Sequence, residues 1–162
     1  MEIIAPHENV SRLVTPEDIE KVYKDAEEIA PLLNKQLGRY PGFYAIAHPQ
    51  VEKDRPLRFF VINPRAGIFN QFRSIVIINP VITNHTNSTI DSIEGCATFS
   101  KFKEKTVQRW NKVEVEFSDL EFDQEKKPLL GKRKKLSLNG RLSKVFQHEI
   151  DHLDAKYIYD LK

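Results

Sequence analysis

Cysteine is almost absent from this 162-residue chain, which has one, Cys96. A single cysteine excludes an intramolecular disulfide framework and suits a reducing compartment. Cys96 is therefore a free thiol with three possible fates: buried filler, nucleophile or metal ligand. Also missing is any apolar stretch long enough to span a bilayer. The start, Met1-Glu2-Ile3-Ile4-Ala5-Pro6, lacks the basic cluster and apolar run of a secretory signal. Neither sign of charge dominates. A formal net charge of +2 gives no argument for a polyanionic partner. With no internal repeat, low-complexity tract or linker, residues 1–162 are expected to form one domain with a real core. The remaining composition, 40% hydrophobic and 30% charged, is ordinary for a globular chain.

The pattern predicts a helix over 15–34. Thr15 can cap it, Pro16 suits its first turn, and Asp18 completes a T-x-x-D capping box. Ile19, Val22, Tyr23, Ala26, Ile29, Ala30 and Leu33 then recur at helical spacing and should face the core. Strands are expected at 44–47, 57–63, 74–81, 94–98 and 113–117, where β-branched and aromatic residues lie between Pro, Asn and Gly. Asn84-His85-Thr86-Asn87 reads as a turn. The charged stretch Asp123–Lys135, with Lys132-Arg133-Lys134-Lys135, reads as a solvated hairpin tip, because no aromatic platform accompanies it. Asn139-Gly140 should turn the chain into a second helix ending near Leu153.

That second helix carries His148-Glu149-Ile150-Asp151-His152. Histidines four apart on a helix lie about 40° apart around its axis and one turn apart along it. Both rings can reach one metal ion, with the glutamate beside whatever water that ion holds. Leu142, Val145, Phe146, Ile150 and Leu153 mark the buried face, and the histidines border it. A catalytic metal usually takes three protein ligands and keeps one position open. Cys96, in Glu94-Gly95-Cys96-Ala97-Thr98, is a candidate third ligand; the competing fate is a small buried hydrophobe.

Glu94-Gly95-Cys96, with Gln147-His148-Glu149-Ile150-Asp151-His152-Leu153 following (His148 is 52 positions after Cys96), resembles peptide deformylase. That family carries G-x-G-x-A-A-x-Q, E-G-C-x-S and Q-H-E-x-D-H in order. The third motif is matched fully. In the second, Ala97 replaces the usual leucine at x, and Thr98 stands in place of the serine, unless an insertion moves the serine to Ser100. The first keeps Ala47, Gln50 and Val51, while Phe43 and Ala45 replace its glycines and Gly42 stands one position early. Ile78-Asn79-Pro80 and the strand pair around Val107–Arg109 and Val113–Phe117 are also similar to the family.

The resemblance implies an α+β fold with mixed or antiparallel sheets around a central helix carrying HExxH, plus an N-terminal helix. It implies a metal-dependent hydrolase that removes the formyl group from the N-terminal formylmethionine of new polypeptides. Cys96, His148 and His152 would ligate one divalent metal, natively Fe(II), with Zn, Ni or Co able to replace it. Glu149 would be the acid–base residue, and Gln50 with the Ala97 backbone N–H would hold the oxyanion. Glu94 and Arg109 would pair behind Cys96. Ile46 and Val145 are candidates for the methionine pocket. The partners implied are N-formylmethionyl nascent peptides and at most a transient ribosome contact, because only ten residues follow His152. The shortness resembles bacteriophage forms and also the plastid-type bacterial forms. No membrane, no specific nucleic acid and no second copy are expected, and the setting would be the cytoplasm of a bacterium or an infected bacterial host. Two rivals stand beside this reading. A zincin-type peptidase would need a third ligand after His152, where only Asp154 and Asp160 are carboxylates. A catalytically silent metal- or peptide-binding relative is motivated by the altered first motif.

Overall fold

The computed structural model describes residues 1–39, 44–63, 75–99 and 103–161. The predicted first helix is present as a 3-10 turn, Pro16–Asp18, leading into α1, Ile19–Arg39. Asp18 accepts the Thr15 backbone N–H at 2.9 Å, as the T-x-x-D spacing requires. The helix runs past the expected end and through Pro31. Its stripe of Val22, Ala26, Ile29 and Leu33 is buried.

Nine strands follow among the described residues: β1 (Ala45–Ala47), β2 (Phe59–Ile62), β3 (Ile75–His85), β4 (Thr89–Glu94), β5 (Lys105–Trp110), β6 (Lys112–Ser118), β7 (Leu120–Phe122), β8 (Pro128–Leu130) and β9 (Lys134–Asn139). A 3-10 turn, His48–Gln50, follows β1. Helix α2 spans Gly140–Leu153. The main sheet has the order β1-β2-β3-β6-β9; β4-β5 and β7-β8 are separate pairs. Every strand pairing is antiparallel.

Strand β2 explains how the two helices share one sheet. Successive strand side chains point to opposite faces. Phe59 and Val61 join α1's Val22, Ile29 and Leu33 in one core cluster. Phe60 and Ile62 join α2's Phe146, Ile150 and Leu153 in the other. A strand buried on both faces reads as an unbroken apolar run, as Phe59-Phe60-Val61-Ile62 does. Phe60 and Phe146 meet edge-to-face with ring centres 5.1 Å apart. Each such fully buried ring stabilises the fold by about 1.5–3 kcal/mol through surface removed from water. This packing fixes α2 against the sheet. Gly140, at φ +55°, lets the chain leave β9 and enter α2 directly.

Several expected boundaries move. The strand expected at 94–98 is not formed: only Glu94 is strand, as the last residue of β4, because the β4–β5 ladder closes at Glu94↔Lys105 and Cys96 begins a turn. The run expected as a turn at 84–87 is partly strand, since β3 continues through His85. The hairpin tip is Asp123–Lys127 alone. Lys134 and Lys135 open β9, where they pair with Asp119 and Glu114. Asn79, in Ile78-Asn79-Pro80, sits at φ 51° in an irregularity of β3. Its side-chain amide exchanges two 2.8 Å hydrogen bonds with the Val14 backbone, tying the N-terminal segment to the sheet. Gly42, Phe43, Ser74 and Ser100 lie outside the described residues.

Candidate active site

Helix α2 brings His148 and His152 to one side, and the turn after β4 brings Cys96 to meet them. Cys96 Sγ lies 3.3 Å from His152 Nε2, and the two histidine Nε2 atoms are 3.1 Å apart. One ligand atom from each of the three residues falls within 4.8 Å of the others. Both rings are held from behind. The Glu94 carboxylate is 2.8 Å from His148 Nδ1, and the Lys156 carbonyl is 3.2 Å from His152 Nδ1. An Nδ1–H donated to these oxygens leaves each Nε2 lone pair facing the sulfur, the usual device for orienting histidine ligands. The donor set therefore fits a divalent metal, with one sulfur, two imidazoles and room for a fourth ligand.

Glu94 is itself gripped. Arg109 donates Nε to Oε1 at 2.9 Å and Nη2 to Oε2 at 2.7 Å, and its Nη1 reaches Asp151 at 2.5 Å. Arg109 is 5% exposed. The Glu94–Arg109 pair read from sequence is thus present, and Asp151 of the helix motif completes it. Gln147 secures the same helix: its amide spans the backbone N–H and C=O of Trp110, both at 2.9 Å.

Protons show what the cluster favours without a cation. Burial pushes the Cys96 thiol up, but His152 and His148 outweigh it and bring it down to about 5. Burial opposes charge on His148, yet Cys96 and Glu94 raise it to about 10. Both shifts favour a thiolate beside an imidazolium, a pair whose proton a cation would displace. Burial drives the Glu94 carboxyl up, but Arg109 and His148 hold it well below the carboxylate range. Glu149 goes the other way. It is 4% exposed, and burial raises its carboxyl despite the nearby histidines. Its Oε2 has no hydrogen-bond partner among the described residues. An orphaned buried carboxylate oxygen beside a metal-type donor set calls for a water or a substrate group.

Gln50 and Ala97 both line the cleft that opens from this cluster, which has a volume of about 1030 Å3. Gln50 is fixed at both ends. Its Oε1 accepts the Ala47 N–H at 2.8 Å, and its Nε2 donates to Thr98 Oγ1 at 2.9 Å. Thr98 Oγ1 is 3.3 Å from Cys96 Sγ, so amide, hydroxyl and sulfur form a chain. Nε2 also faces the sulfur directly at 3.7 Å. The turn carrying Gln50 is anchored by His48, which is wholly buried. His48 Nδ1 accepts the Leu57 N–H at 2.8 Å, leaving Nε2–H for Asp25 at 3.0 Å. Val145 lines the cleft as expected, but Ile46 does not. Alternation along β1 turns Ile46 into the α1-side core and Ala45 toward the cleft.

Sequence reasoning passed over Thr98 as a motif mismatch; its hydroxyl, the group a serine would supply, was the available signal. The Asp25–His48 pair had no local signal beyond an acid in an apolar helix stripe. The Lys156 carbonyl had none, because any residue could supply it.

An α+β scaffold with HExxH on a buried helix and a cysteine brought to it presents a donor set that could hold a metal ion. The chain belongs to the polypeptide deformylase family, whose profile matches residues 5–161. It is 33% identical to the peptide deformylase of Thermus thermophilus over 112 residues, covering 69% of this chain and 48% of that protein. Peptide deformylase 2 of a Nostoc species is 30% identical over 119 residues, 71% of this chain and 60% of that one. The match thus spans about half the length of the Thermus relative. The fold is similar to that of a variant of Arabidopsis thaliana peptide deformylase 1B, with a TM-score of 0.77 at 22% identity, covering all of this chain and 80% of that one. It is also similar to a probable peptide deformylase from a synechococcus phage, with a TM-score of 0.69 at 20% identity and 99% coverage of both. Among the described residues no helix is long and apolar enough to cross a membrane.

Proposed function

We propose that this chain hydrolyses the formyl group from the N-terminal formylmethionine of new polypeptides. The observation that carries the reading is the convergence of Cys96 Sγ and the Nε2 atoms of His148 and His152 beside Glu149, whose Oε2 has no hydrogen-bond partner among the described residues. Cys96, His148 and His152 would hold a divalent cation, which would supply Lewis acidity toward a water and the formyl carbonyl. Fe(II) is the native ion in this reading, with Zn, Ni and Co as substitutes, since thiolate plus imidazole suits all four.

Glu149 takes the proton of the attacking water as its oxygen adds to the formyl carbon. The carbonyl oxygen becomes an oxyanion, and the Gln50 amide and the Ala97 backbone N–H donate to it. Glu149 then passes the proton to the departing nitrogen. The C–N bond breaks, leaving formate and a free α-amine. The peptide lies extended along the edge of β4 that β5 leaves unpaired. Val145 contributes to the methionine pocket. The protein acts as a monomer in the cytoplasm of a bacterium or infected host, touching the ribosome transiently.

Turnover of formyl-Met-Ala-Ser by iron-loaded protein tests this. Oxygen must be excluded, because oxidation of Cys96 would mimic an inactive protein. Glu149→Ala should lose turnover by about 10^2- to 10^4-fold while keeping its metal. No turnover at full metal occupancy would favour the silent-binder reading.

A further inference from the structure

The cleft runs as an aisle between two walls. On one wall, α2 leads from His148 back through Val145 and Lys144 to Arg141. On the other, β4 leads from Glu94 back to Ile90. Both walls start at the ligand cluster, where Glu94 meets His148. Seven helical residues cover about 10 Å. An extended peptide covers that distance in about three residues, with its first and third side chains on one face. A chain with its formyl group at the cluster therefore brings its third side chain level with Arg141.

Charge is unevenly placed along this aisle. Glu94 is paired with Arg109. Glu104 also lines the cleft, but the Glu94↔Lys105 register puts it at the cluster end. The far end carries Arg141 and Lys144, and neither forms an ion pair among the described residues. Arg141 rests over the Tyr44 ring, 5.6 Å from its centre. Lys144 donates to the neutral Asp91 backbone carbonyl at 3.0 Å, bridging the two walls. Each cation thus has a weak partner that a carboxylate would replace.

We propose that this cleft selects formylated peptides with an acidic third side chain, recognised by Arg141 and Lys144. The inference rests on the deformylase reading for the formyl end of the substrate. It adds a specificity for the rest of the peptide that general deformylation does not require.

The test uses zinc-loaded full-length protein and three amidated peptides, formyl-Met-Ala-Asp, formyl-Met-Ala-Asn and formyl-Met-Ala-Lys. The kcat/KM should rank Asp above Asn above Lys, by about fivefold per step, the size of a partly exposed ion pair. Half-molar salt should compress the ranking, and Arg141→Gln with Lys144→Gln should abolish it. Dissociation constants for the same peptides without formyl groups, measured by fluorescence anisotropy, give the ranking without turnover. Equal affinity for the Asp and Lys peptides, or no binding of any of them, overturns the inference. Ranked affinity with no turnover would support it and sink the activity reading instead.

Discussion

Removing Arg109 tests how far the metal cluster depends on what stands behind it. Arg109→Met keeps the aliphatic stem and deletes three charge-assisted hydrogen bonds, two to Glu94 and one to Asp151. The Glu94 side chain is only 9% exposed and that of Asp151 21%, so Asp151 recovers more solvation than Glu94. Breaking a buried pair from one side costs about 3–5 kcal/mol, and the partial exposure of Asp151 places this variant near the lower figure. A loss of about 3 kcal/mol lowers Tm by roughly 6–12 °C in a chain of this size. The loss has a pH signature. Glu94 is depressed in the native fold from an ordinary 4.5, so its stabilisation is complete above pH 4.5 and fades as pH falls below it. The gap between wild type and variant should narrow on going from pH 6 to pH 3. Glu94 also loses its orientation beneath His148 Nδ1, so metal affinity should weaken by about 10- to 100-fold. Urea titrations across that pH range and competition with a chelator measure both effects. A pH-independent gap, with metal affinity within threefold of wild type, would show that neither Glu94 nor His148 depends on Arg109.

Other outcomes follow from the same geometry. Metal uptake should displace the proton shared between Cys96, at about 5, and His148, at about 10. Apparent affinity should then tighten about tenfold per pH unit between pH 6 and 9; a flat competition titration contradicts this. Thr98→Val removes the hydroxyl joining Gln50 to the sulfur and should lower kcat by about tenfold with folding intact, read from steady-state kinetics and far-UV spectra. Asp25→Ala leaves the buried His48 Nε2–H unpaired and should cost about 1–3 kcal/mol in a denaturant titration. Gly131→Ala would push a methyl group to 2.8 Å from the Asp119 carbonyl oxygen, a clash worth about 1–3 kcal/mol in the same assay.

The pairing of His148 with His152 is legible because they are four residues apart, a spacing that the helix converts directly into proximity. The cap of the first helix was legible for the same reason, since Thr15 and Asp18 are near neighbours. Cys96 could be assigned as a ligand only through resemblance, because 56 residues separate it from His152 and spacing says nothing across that distance. The strand expected at 94–98 lies one strand-length too late, because Gly95-Cys96-Ala97 carries no strong turn residue besides the glycine; the ladder with β5 sets the strand at Thr89–Glu94. Ile46 was misassigned because a three-residue strand shows too little alternation to reveal which face meets α1. The Lys132–Lys135 cluster read as one feature, but strand register splits Lys134 and Lys135 between Asp119 and Glu114.

The proposed chemistry requires one sulfur and two imidazoles to share one ion. X-ray absorption on zinc-loaded protein measures this directly. It should find one zinc per chain, with a single sulfur near 2.3 Å and two imidazole nitrogens at about 2.0–2.1 Å. Cys96→Ser should remove the sulfur shell. A zinc surrounded only by oxygen and nitrogen in the unaltered protein, or a sulfur shell that survives Cys96→Ser, would contradict it.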